Sequence, residues 1–381
     1  MTIPPCLYPP CYTARMSDTI LTALEDPDPS SAGFNPSRLT AAVSFAKRNE
    51  IGWSRNIEDQ LGKGEFEPPP WNEVLGPTKP RGGPTGMILR HGTVAATWGD
   101  LARADMTFSV AKSYLAILAG LALKDGLIGD VHEPVAKTAL DDHFTSPQNC
   151  DVTWHHLLQQ TSEWEGTLWG KPDLIDRNRQ LGENADNTRK GQPRVLGPPG
   201  SFWEYNDVRV NRLSLSLLHL FRRPLADVLK ERIMIPLGAS DNWSWNAYRN
   251  AVATVDGVPI PSVPGGSHWG GGLWIGPRDQ ALLGQLILQR GAWNGRQLIS
   301  TDWLDAMCKP CPLKSEYGYM WWLNTDRVRY PAASIKALAA VGAGGNTILI
   351  DATHDLVLVA RWLDGLALNP LIEQTIAAIA E

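Results

Sequence analysis

A serine and a lysine three residues apart, Ser109 and Lys112, directly precede the apolar segment 115–123. On a helix, side chains at positions i and i+3 lie on one face, so a hydroxyl and an amine would stand side by side at the start of a buried helix. A lysine held away from water loses its charge readily and can be the base that takes the proton of a serine. The free N–H groups of the helix N-terminus would lie where an oxyanion forms. The spacing therefore predicts a nucleophilic serine.

The same Ser-x-x-Lys spacing occurs a second time, at Ser44 and Lys47. This copy lies in an amphipathic pattern and runs into a charged stretch that ends at Glu50. Such a pattern is typical of a helix with one face in solvent, so we expect no chemistry from Ser44. Ser109 differs because its surroundings are apolar and because a second polar block lies downstream.

That downstream block, 199–207, contains Tyr205. Its opening Pro-Gly pair marks a turn, which places the tyrosine on a loop or at a strand end. A tyrosine there could relay a proton between the serine and a leaving group. A packed aromatic is the alternative that the residues by themselves leave open.

Composition and charge exclude several classes of function. The chain has 381 residues, 43% of them apolar, which suffices for one two-lobed unit or two domains. The net charge is −5 without a long basic run, so no nucleic-acid partner is expected. The longest apolar run, about ten residues, is too short to span a bilayer, and residues 1–15 lack the pattern of a secretory signal. We therefore expect a cytoplasmic protein with no membrane partner.

The five cysteines are expected to be reduced thiols. Cys308 and Cys311 have the spacing of a redox pair, but prolines surround them rather than a β-α-β unit. The adjacent His155 and His156 would point apart on a helix and make a poor metal site. No metal or organic cofactor is expected.

Hydrophobic periodicity predicts strands near both ends of the chain and helices between them. The predicted helices cover 37–49, 109–125, 153–160, 208–220, 225–235, 277–289 and 369–380. Predicted hairpins join 86–90 to 93–98 and 347–350 to 356–360. Gly- and Pro-rich loops are predicted over 62–84 and 166–200, and the second is a candidate border of the site.

The predicted fold class is α/β (α+β), with an antiparallel sheet built from N- and C-terminal segments, flanked by helices, and an inserted all-helical lobe. The predicted units are a loosely ordered segment 1–33, a sheet lobe formed by 34–106 and 265–381, and a mainly helical lobe 107–264. Most of the sixteen tryptophans are expected to fill the core. Seven lie in segments expected near the cleft, and a few of these could form an apolar wall for an acyl chain or an aromatic ring: Trp164, Trp169, Trp203, Trp269, Trp274, Trp321 and Trp322.

Taken in order, these motifs resemble those of the serine β-lactamase-like hydrolases of the class C type. This group includes class C β-lactamases, D-Ala-D-Ala peptidases, short-chain carboxylesterases and 6-aminohexanoate-oligomer hydrolases. The resemblance covers roughly residues 35–378. The landmarks that occur in family order are 107–112, 152–162, 199–207, 236–238, 270–273, 317–322 and 341–346.

The sequence departs from the family pattern at two places. Asp207 stands where the family usually has asparagine. The Lys-Thr-Gly strand motif that holds the antibiotic's carboxylate in β-lactamases is replaced by Val-Gly-Ala at 341–343. This glycine-rich version is similar to that of the esterase and oligomer-hydrolase members, and it would let a substrate lie along the strand edge.

The resemblance implies a serine hydrolase that cleaves ester or amide bonds of small molecules through an acyl-enzyme. Ser109 would be the nucleophile, and Lys112 and Tyr205 would transfer protons. The backbone N–H groups of Ser109 and Ala343 would hold the oxyanion. The residues expected on the substrate side of the site are Asp207, His268, Trp269, Gly342 and Gly344.

Several alternatives stay open. One is β-lactamase or D-Ala-D-Ala peptidase activity, and another is a non-catalytic relative that binds a ligand or acts as a scaffold. A water-activating glutamate of the class A type is less favoured, because Glu163 and Glu165 are interpreted as structural. Whether Lys112 or Tyr205 is the primary base, and whether the chain forms a homodimer, also stay open.

Overall fold

The structure is a computed structural model that describes residues 27–64, 66–182 and 185–380. Its α-helices are α1 Pro36–Arg48, α2 Ile57–Gly62, α3 Val110–Lys124, α4 Trp154–Gln159, α5 Asp207–Phe221, α6 Leu225–Leu229, α7 Ile235–Leu237, α8 Pro277–Leu288, α9 Thr301–Met307 and α10 Leu368–Ala377. Its strands are β1 Thr85–Arg90, β2 Thr93–Trp98, β3 Asp105–Met106, β4 Thr167–Leu168, β5 Lys171–Pro172, β6 Ser244–Asn246, β7 Val252–Val255, β8 Val258–Pro261, β9 Gly272–Ile275, β10 Ala292–Trp293, β11 Arg296–Gln297, β12 Trp322–Leu323, β13 Leu338–Gly342, β14 Asn346–Asp351 and β15 Leu356–Arg361.

The main sheet has six antiparallel strands in the order β12-β13-β14-β15-β1-β2. Both predicted hairpins, β1–β2 and β14–β15, are present and lie side by side through the pairing of β1 with β15. The β1–β2 turn passes through His91 and Gly92, whose φ angles of 52° and 70° suit a two-residue hairpin. The prediction that segments from both ends of the chain close one sheet is therefore confirmed.

Helices cover both faces of this sheet, which explains why its strands are apolar throughout rather than alternating. Met87 and Leu89 of β1 pack into the large core that includes residues of α3 and α8. Ile88, which lies between them in sequence, packs instead with Leu39 of α1 and Leu371 of α10. Successive strand residues point to opposite faces, so each face requires its own apolar set.

Helix α3 is the central element of the helical part, and every residue from Val110 to Ala122 is buried. It contacts both α5 and β13. The start of α3, the start of α5 and the end of β13 therefore lie close together, and they carry Ser109, Asp207 and Gly342 respectively. Among the described residues, no helix is long and apolar enough to cross a membrane.

The inserted lobe is not purely helical, in contrast to the prediction. It contains the short hairpins β4–β5 and β7–β8, and its strand β6 pairs with β9. The predicted helix 225–235 is divided into α6, a π-helical turn Lys230–Met234 and α7. Pro236 in α7 lacks an N–H group, so it cannot continue a regular α-helical hydrogen-bond ladder.

Most of the predicted loosely ordered segment 1–33 lies outside the described residues. Residues 27–33 form a turn that is tied to the sheet, because the Asp28 N–H donates to the Val94 carbonyl at 3.1 Å.

Candidate active site

Ser109 lies at the start of α3, directly after a tight turn from β3. The turn passes through Phe108, whose φ of 52° is unfavourable for a bulky side chain. The Phe108 side chain is fully buried and makes edge-to-face contacts with Trp53 and Trp362, at centroid distances of 5.5 and 6.5 Å. Packing thus holds a backbone conformation that would otherwise relax. Within the described residues, the Ser109 N–H donates to no protein group.

Lys112 stands one helical turn after Ser109, as the spacing predicts, and is 1% exposed. Its Nζ lies 2.9 Å from Ser109 Oγ and 3.2 Å from the Gly265 carbonyl oxygen. The third neighbour of Nζ is the carboxylate of Asp207, which forms an ion pair with it. The three donor positions of the ammonium group are therefore all engaged.

The pKa of Lys112 depends on neighbouring groups as well as on the burial that the sequence predicts. Burial is the largest single influence and lowers the pKa of Lys112, but the Asp207 carboxylate, by its charge and its hydrogen bond, acts together with the Tyr205 phenol to outweigh burial and raise the pKa above the ordinary 10.5. Lys112 is thus an ammonium group in the resting site, and it donates to Ser109 Oγ rather than accepting its proton. The sequence predicts the burial of Lys112 but not its Asp207 partner, whose charge opposes the effect of burial.

The Asp207 carboxylate is itself held by a second cation. Arg179 Nη1 lies 2.6 Å from Asp207 Oδ2, and His268 Nδ1 lies 3.2 Å from the same oxygen. Burial raises the pKa of Asp207, but the neighbouring basic groups, His268 first and then Lys112, hold that pKa well below its ordinary value. Asp207 also begins helix α5, where the helix dipole favours a negative charge.

This contact belongs to a ring of buried and half-buried ionisable groups that the sequence did not predict. Beyond Asp207 the charges alternate in sign through Arg179, Asp176, Lys190 and Glu67, with successive N···O distances of 2.6, 3.2, 3.3 and 2.6 Å. His268 closes the ring, with Nδ1 at 3.7 Å from Glu67 and 3.2 Å from Asp207. Asp176 and Arg179 are three residues apart, but the other members come from separate loops and a helix end, and no common spacing in the sequence indicates the ring.

Tyr205 lies beside Lys112, with Nζ 4.9 Å from the centre of the phenol ring. The ring stacks on Trp322 at a centroid distance of 5.9 Å and contacts Tyr317 edge to face at 6.3 Å. Trp203 packs against the same group. These four aromatic residues are called the aromatic wall below. Within the described residues, no protein group hydrogen-bonds the Tyr205 hydroxyl.

The end of β13 approaches the turn that carries Ser109. A Cβ added to Gly342 would lie 2.0 Å from the Thr107 carbonyl oxygen and 3.0 Å from the Ser109 nitrogen, so only glycine allows this approach. The next residue is Ala343, and in the described part of the chain its N–H, like that of Ser109, has no protein acceptor. Gly344 has a φ of 77°, and a Cβ there would lie 2.7 Å from the Trp362 ring. Both glycines are thus needed for backbone geometry near Ser109.

Two other predicted substrate-side residues, His268 and Trp269, are buried. His268 belongs to the charge ring and stacks on Phe66 at 4.8 Å. Trp269 is fully buried, and its indole N–H donates to the Trp71 carbonyl at 2.7 Å. Trp269, which belongs to the glycine-rich segment 265–272, therefore presents no surface to a ligand.

The structural interpretation of Glu163 fits its contacts. Glu163 is fully buried and pairs with Arg194 at 2.8 Å and with Arg209 at 3.5 Å. Glu165 pairs with Arg177 at 3.0 Å. Both carboxylates are thus bound to arginine.

No group of three or more metal-binding side chains occurs within residues 27–64, 66–182 and 185–380. Cys311 of the predicted redox pair is a free thiol, and Cys6 and Cys11 lie outside the described residues.

Comparison with solved structures identifies proteins of the same fold. EstCE1, a hydrolase with promiscuous acyltransferase activity, has 14% identity and a TM-score of 0.58, with 91% of this chain and 99% of that chain covered. A penicillin-binding protein homologue from Caulobacter crescentus has 16% identity and a TM-score of 0.56 over the same shares of the two chains. A Bacillus anthracis protein provisionally named as a 6-aminohexanoate-dimer hydrolase has 17% identity and a TM-score of 0.52, with 77% of each chain covered. At these identities the likeness establishes the fold alone.

A search among curated proteins found no match. The family model for beta-lactamase matches residues 87–361, which include the Ser109 turn, the start of α5 and the end of β13. This match spans most of the chain and agrees with the observed sheet, helices and landmarks. The chain therefore belongs to the beta-lactamase family and has the β-lactamase/transpeptidase-like fold.

Proposed function

We propose that this protein is a serine hydrolase that cleaves ester or amide bonds of small molecules through an acyl-enzyme on Ser109. The observation that carries the proposal is the placement of the Ser109 hydroxyl 2.9 Å from a buried lysine amine, next to two backbone N–H groups with no protein acceptor in the described chain. A hydroxyl with a nearby base and oxyanion donors is the constellation that acyl transfer requires.

In the proposed reaction, Ser109 Oγ attacks the carbonyl carbon of the substrate and its proton passes to Lys112 or Tyr205. The carbonyl oxygen gains a negative charge, which the N–H groups of Ser109 and Ala343 stabilise. The tetrahedral species collapses, and the leaving alcohol or amine departs with the proton. Water then attacks the Ser109 ester by the reverse proton path, which frees the acid and restores the hydroxyl.

The aromatic wall supports apolar or aromatic acyl substrates at its half-buried edge, which is Trp203, since the other three members, Tyr205, Tyr317 and Trp322, are buried. Antibiotic turnover is less favoured. The strand motif that carries a lysine and a threonine in β-lactamases is Val-Gly-Ala in this chain, so the residues next to Ser109 on β13 offer no side-chain anchor for a carboxylate. Among the family activities, we therefore favour ester cleavage and keep β-lactam and D-Ala-D-Ala peptide hydrolysis as alternatives.

The test is covalent labelling with a fluorophosphonate probe together with p-nitrophenyl ester hydrolysis, because only an activated serine reacts with the probe. Ser109→Ala should abolish labelling and turnover. Ser44→Ala is the matched control, because Ser44 has the same spacing to a lysine but lies on α1, and it should leave both unchanged.

Labelling that survives Ser109→Ala would assign the reactive group elsewhere. A folded wild-type protein that is neither labelled nor active on esters, anilides, ω-amino-acid oligomers or nitrocefin would favour the non-catalytic relative.

A further inference from the structure

We infer that Asp207 is a positioning residue for the reaction: it aims Lys112 at Ser109 and keeps it in the ammonium form, which makes acylation of Ser109 an alkaline process. The inference rests on the proposed function of Ser109. It assigns to Asp207 a role different from the substrate contact that the family pattern implies.

The first step of the argument is the geometry around Lys112 Nζ. Two of its three neighbours, the Asp207 carboxylate and the Gly265 carbonyl, can only accept hydrogen bonds. The third neighbour, Ser109 Oγ at 2.9 Å, can either donate or accept. As a neutral amine, Lys112 would give its two N–H groups to the two acceptors, and its lone pair would face the Ser109 hydroxyl. Asp207 and Gly265 thus aim the base in both protonation states.

The second step is that Asp207 cannot leave this position without large cost. It is 3% exposed, its second oxygen is bound by Arg179 at 2.6 Å, and its own N–H donates to Asp176 Oδ2 at 2.8 Å. A buried carboxylate held by two cations at the start of a helix stays ionised and ordered.

The third step is the balance of charge that Lys112 faces. The Ser109 hydroxyl comes from the start of its own helix, and the Asp207 carboxylate comes from the start of α5. The Tyr205 phenol comes from the segment before α5, and Arg179 comes from the loop after β5. Gly265 belongs to the same glycine-rich segment as His268, whose imidazole contacts Asp207 and not Lys112. Asp207 is the one carboxylate among these that touches Lys112, and together with the Tyr205 phenol it offsets both burial and the repulsion by Arg179.

The protonation state of Lys112 determines how the reaction rate depends on pH. Only the amine can take the proton of Ser109, so the rate should rise with pH as the ammonium form is lost. Asp207→Asn keeps the shape and one acceptor oxygen but removes the negative charge. Because an opposite charge at contact distance moves a pKa by about 1–3 units, the variant should reach its limiting rate at a pH lower by about that amount.

A second variant predicts a shift of opposite sign. Arg179 lowers the pKa of Lys112 by direct repulsion and shares the charge of Asp207. Arg179→Gln should therefore move the pH–rate curve to higher pH, while Arg179→Lys, which keeps the charge, should restore it toward the wild-type position. A purely structural role for Arg179 or Asp207 would lower the rate at every pH without moving the curve.

The experiment measures the rate constant for fluorophosphonate labelling of the full chain from about pH 6 to about pH 10, in wild type and in the three variants. We expect a wild-type rate that rises across the range, an Asp207→Asn curve at lower pH and an Arg179→Gln curve at higher pH. A wild-type plateau at or below neutral pH would overturn the inference, and so would coinciding curves in folded variants. A wild-type plateau of this kind would overturn the inference even where a variant does not fold. Absence of labelling in wild type at every pH would instead contradict the proposed function.

Discussion

The close approach of β13 to the Ser109 turn gives a quantitative prediction for Gly342→Ala. The added Cβ would lie 2.0 Å from the Thr107 carbonyl oxygen, whereas ordinary contacts begin near 3.4 Å. The strand end or the turn must therefore move by roughly 1 Å or more. That movement separates the N–H groups of Ser109 and Ala343, which are proposed to bind the same oxyanion.

The expected effect is on kcat rather than on binding. Loss of one oxyanion donor typically costs about 10²- to 10³-fold in kcat, or about 3–4 kcal/mol, and misplacement of catalytic groups by about 1 Å has an effect of about 10²-fold. We therefore expect kcat for a p-nitrophenyl ester to fall by at least about 10²-fold. KM should change little, because the oxyanion contact forms only in the transition state. Fluorophosphonate labelling should slow in parallel, since its phosphoryl oxygen uses the same donors.

Gly365→Ala is the matched control, because a Cβ at Gly365 meets nothing within 4 Å and its φ is not in the left-handed region. Overpacking at Gly342 should also reduce the free energy of unfolding, by about 1–3 kcal/mol, so thermal unfolding and circular dichroism must confirm that the variant is folded at the assay temperature. A folded Gly342→Ala protein with kcat within about threefold of wild type would refute the oxyanion assignment on β13.

Two further predictions concern proton transfer and substrate class. Lys112→Ala and Tyr205→Phe should each lower kcat by about 10²-fold or more. The double variant should be only slightly slower than the slower of the two single variants, because both residues serve one proton path. Fully additive losses in steady-state kinetics would show that the two residues act independently. For wild type, kcat/KM for a short p-nitrophenyl ester should exceed that for nitrocefin by at least about 10²-fold, the size expected from one or two missing charge-assisted contacts. Equal or faster nitrocefin turnover would mean that another cation, such as Arg329, which lies 3.9 Å from the Trp322 ring, holds the carboxylate.

Much of the fold could be predicted from the sequence because the relevant signals are local. The apolar strands of the two hairpins and the apolar run of α3 follow from periodicity alone, and the structure confirms them within a few residues. One local signal was overlooked. Asp256 and Gly257 have φ angles of 52° and 78°, the geometry for which an Asp-Gly pair is typical, and the pair marks the turn of the β7–β8 hairpin inside the lobe predicted to be helical.

The spacing of Ser109 and Lys112 is also a local feature of the sequence, but the charges that surround Lys112 come from distant positions. One helical turn brings Ser109 to Lys112, so that contact could be predicted. The charge on Lys112 depends on Asp207, which lies 95 positions away along the chain. The loop that supplies Arg179 has no periodicity from which its packing could be predicted. The sequence therefore indicates that Lys112 is buried, but it does not indicate which charged groups offset the effect of burial on the pKa of Lys112.

The charge ring suggests that Asp207 is not an isolated departure from the family pattern. A carboxylate in place of an amide adds a buried negative charge, and such a charge is unfavourable unless it is paired. Because Arg179 binds the other carboxylate oxygen at 2.6 Å, and Asp176 in turn balances Arg179 at 3.2 Å, Lys112 can remain shared between Asp207 and Ser109. The carboxylate at position 207 and the loop that carries Asp176 and Arg179 therefore act as one unit, and a change to either should alter the protonation of the same lysine.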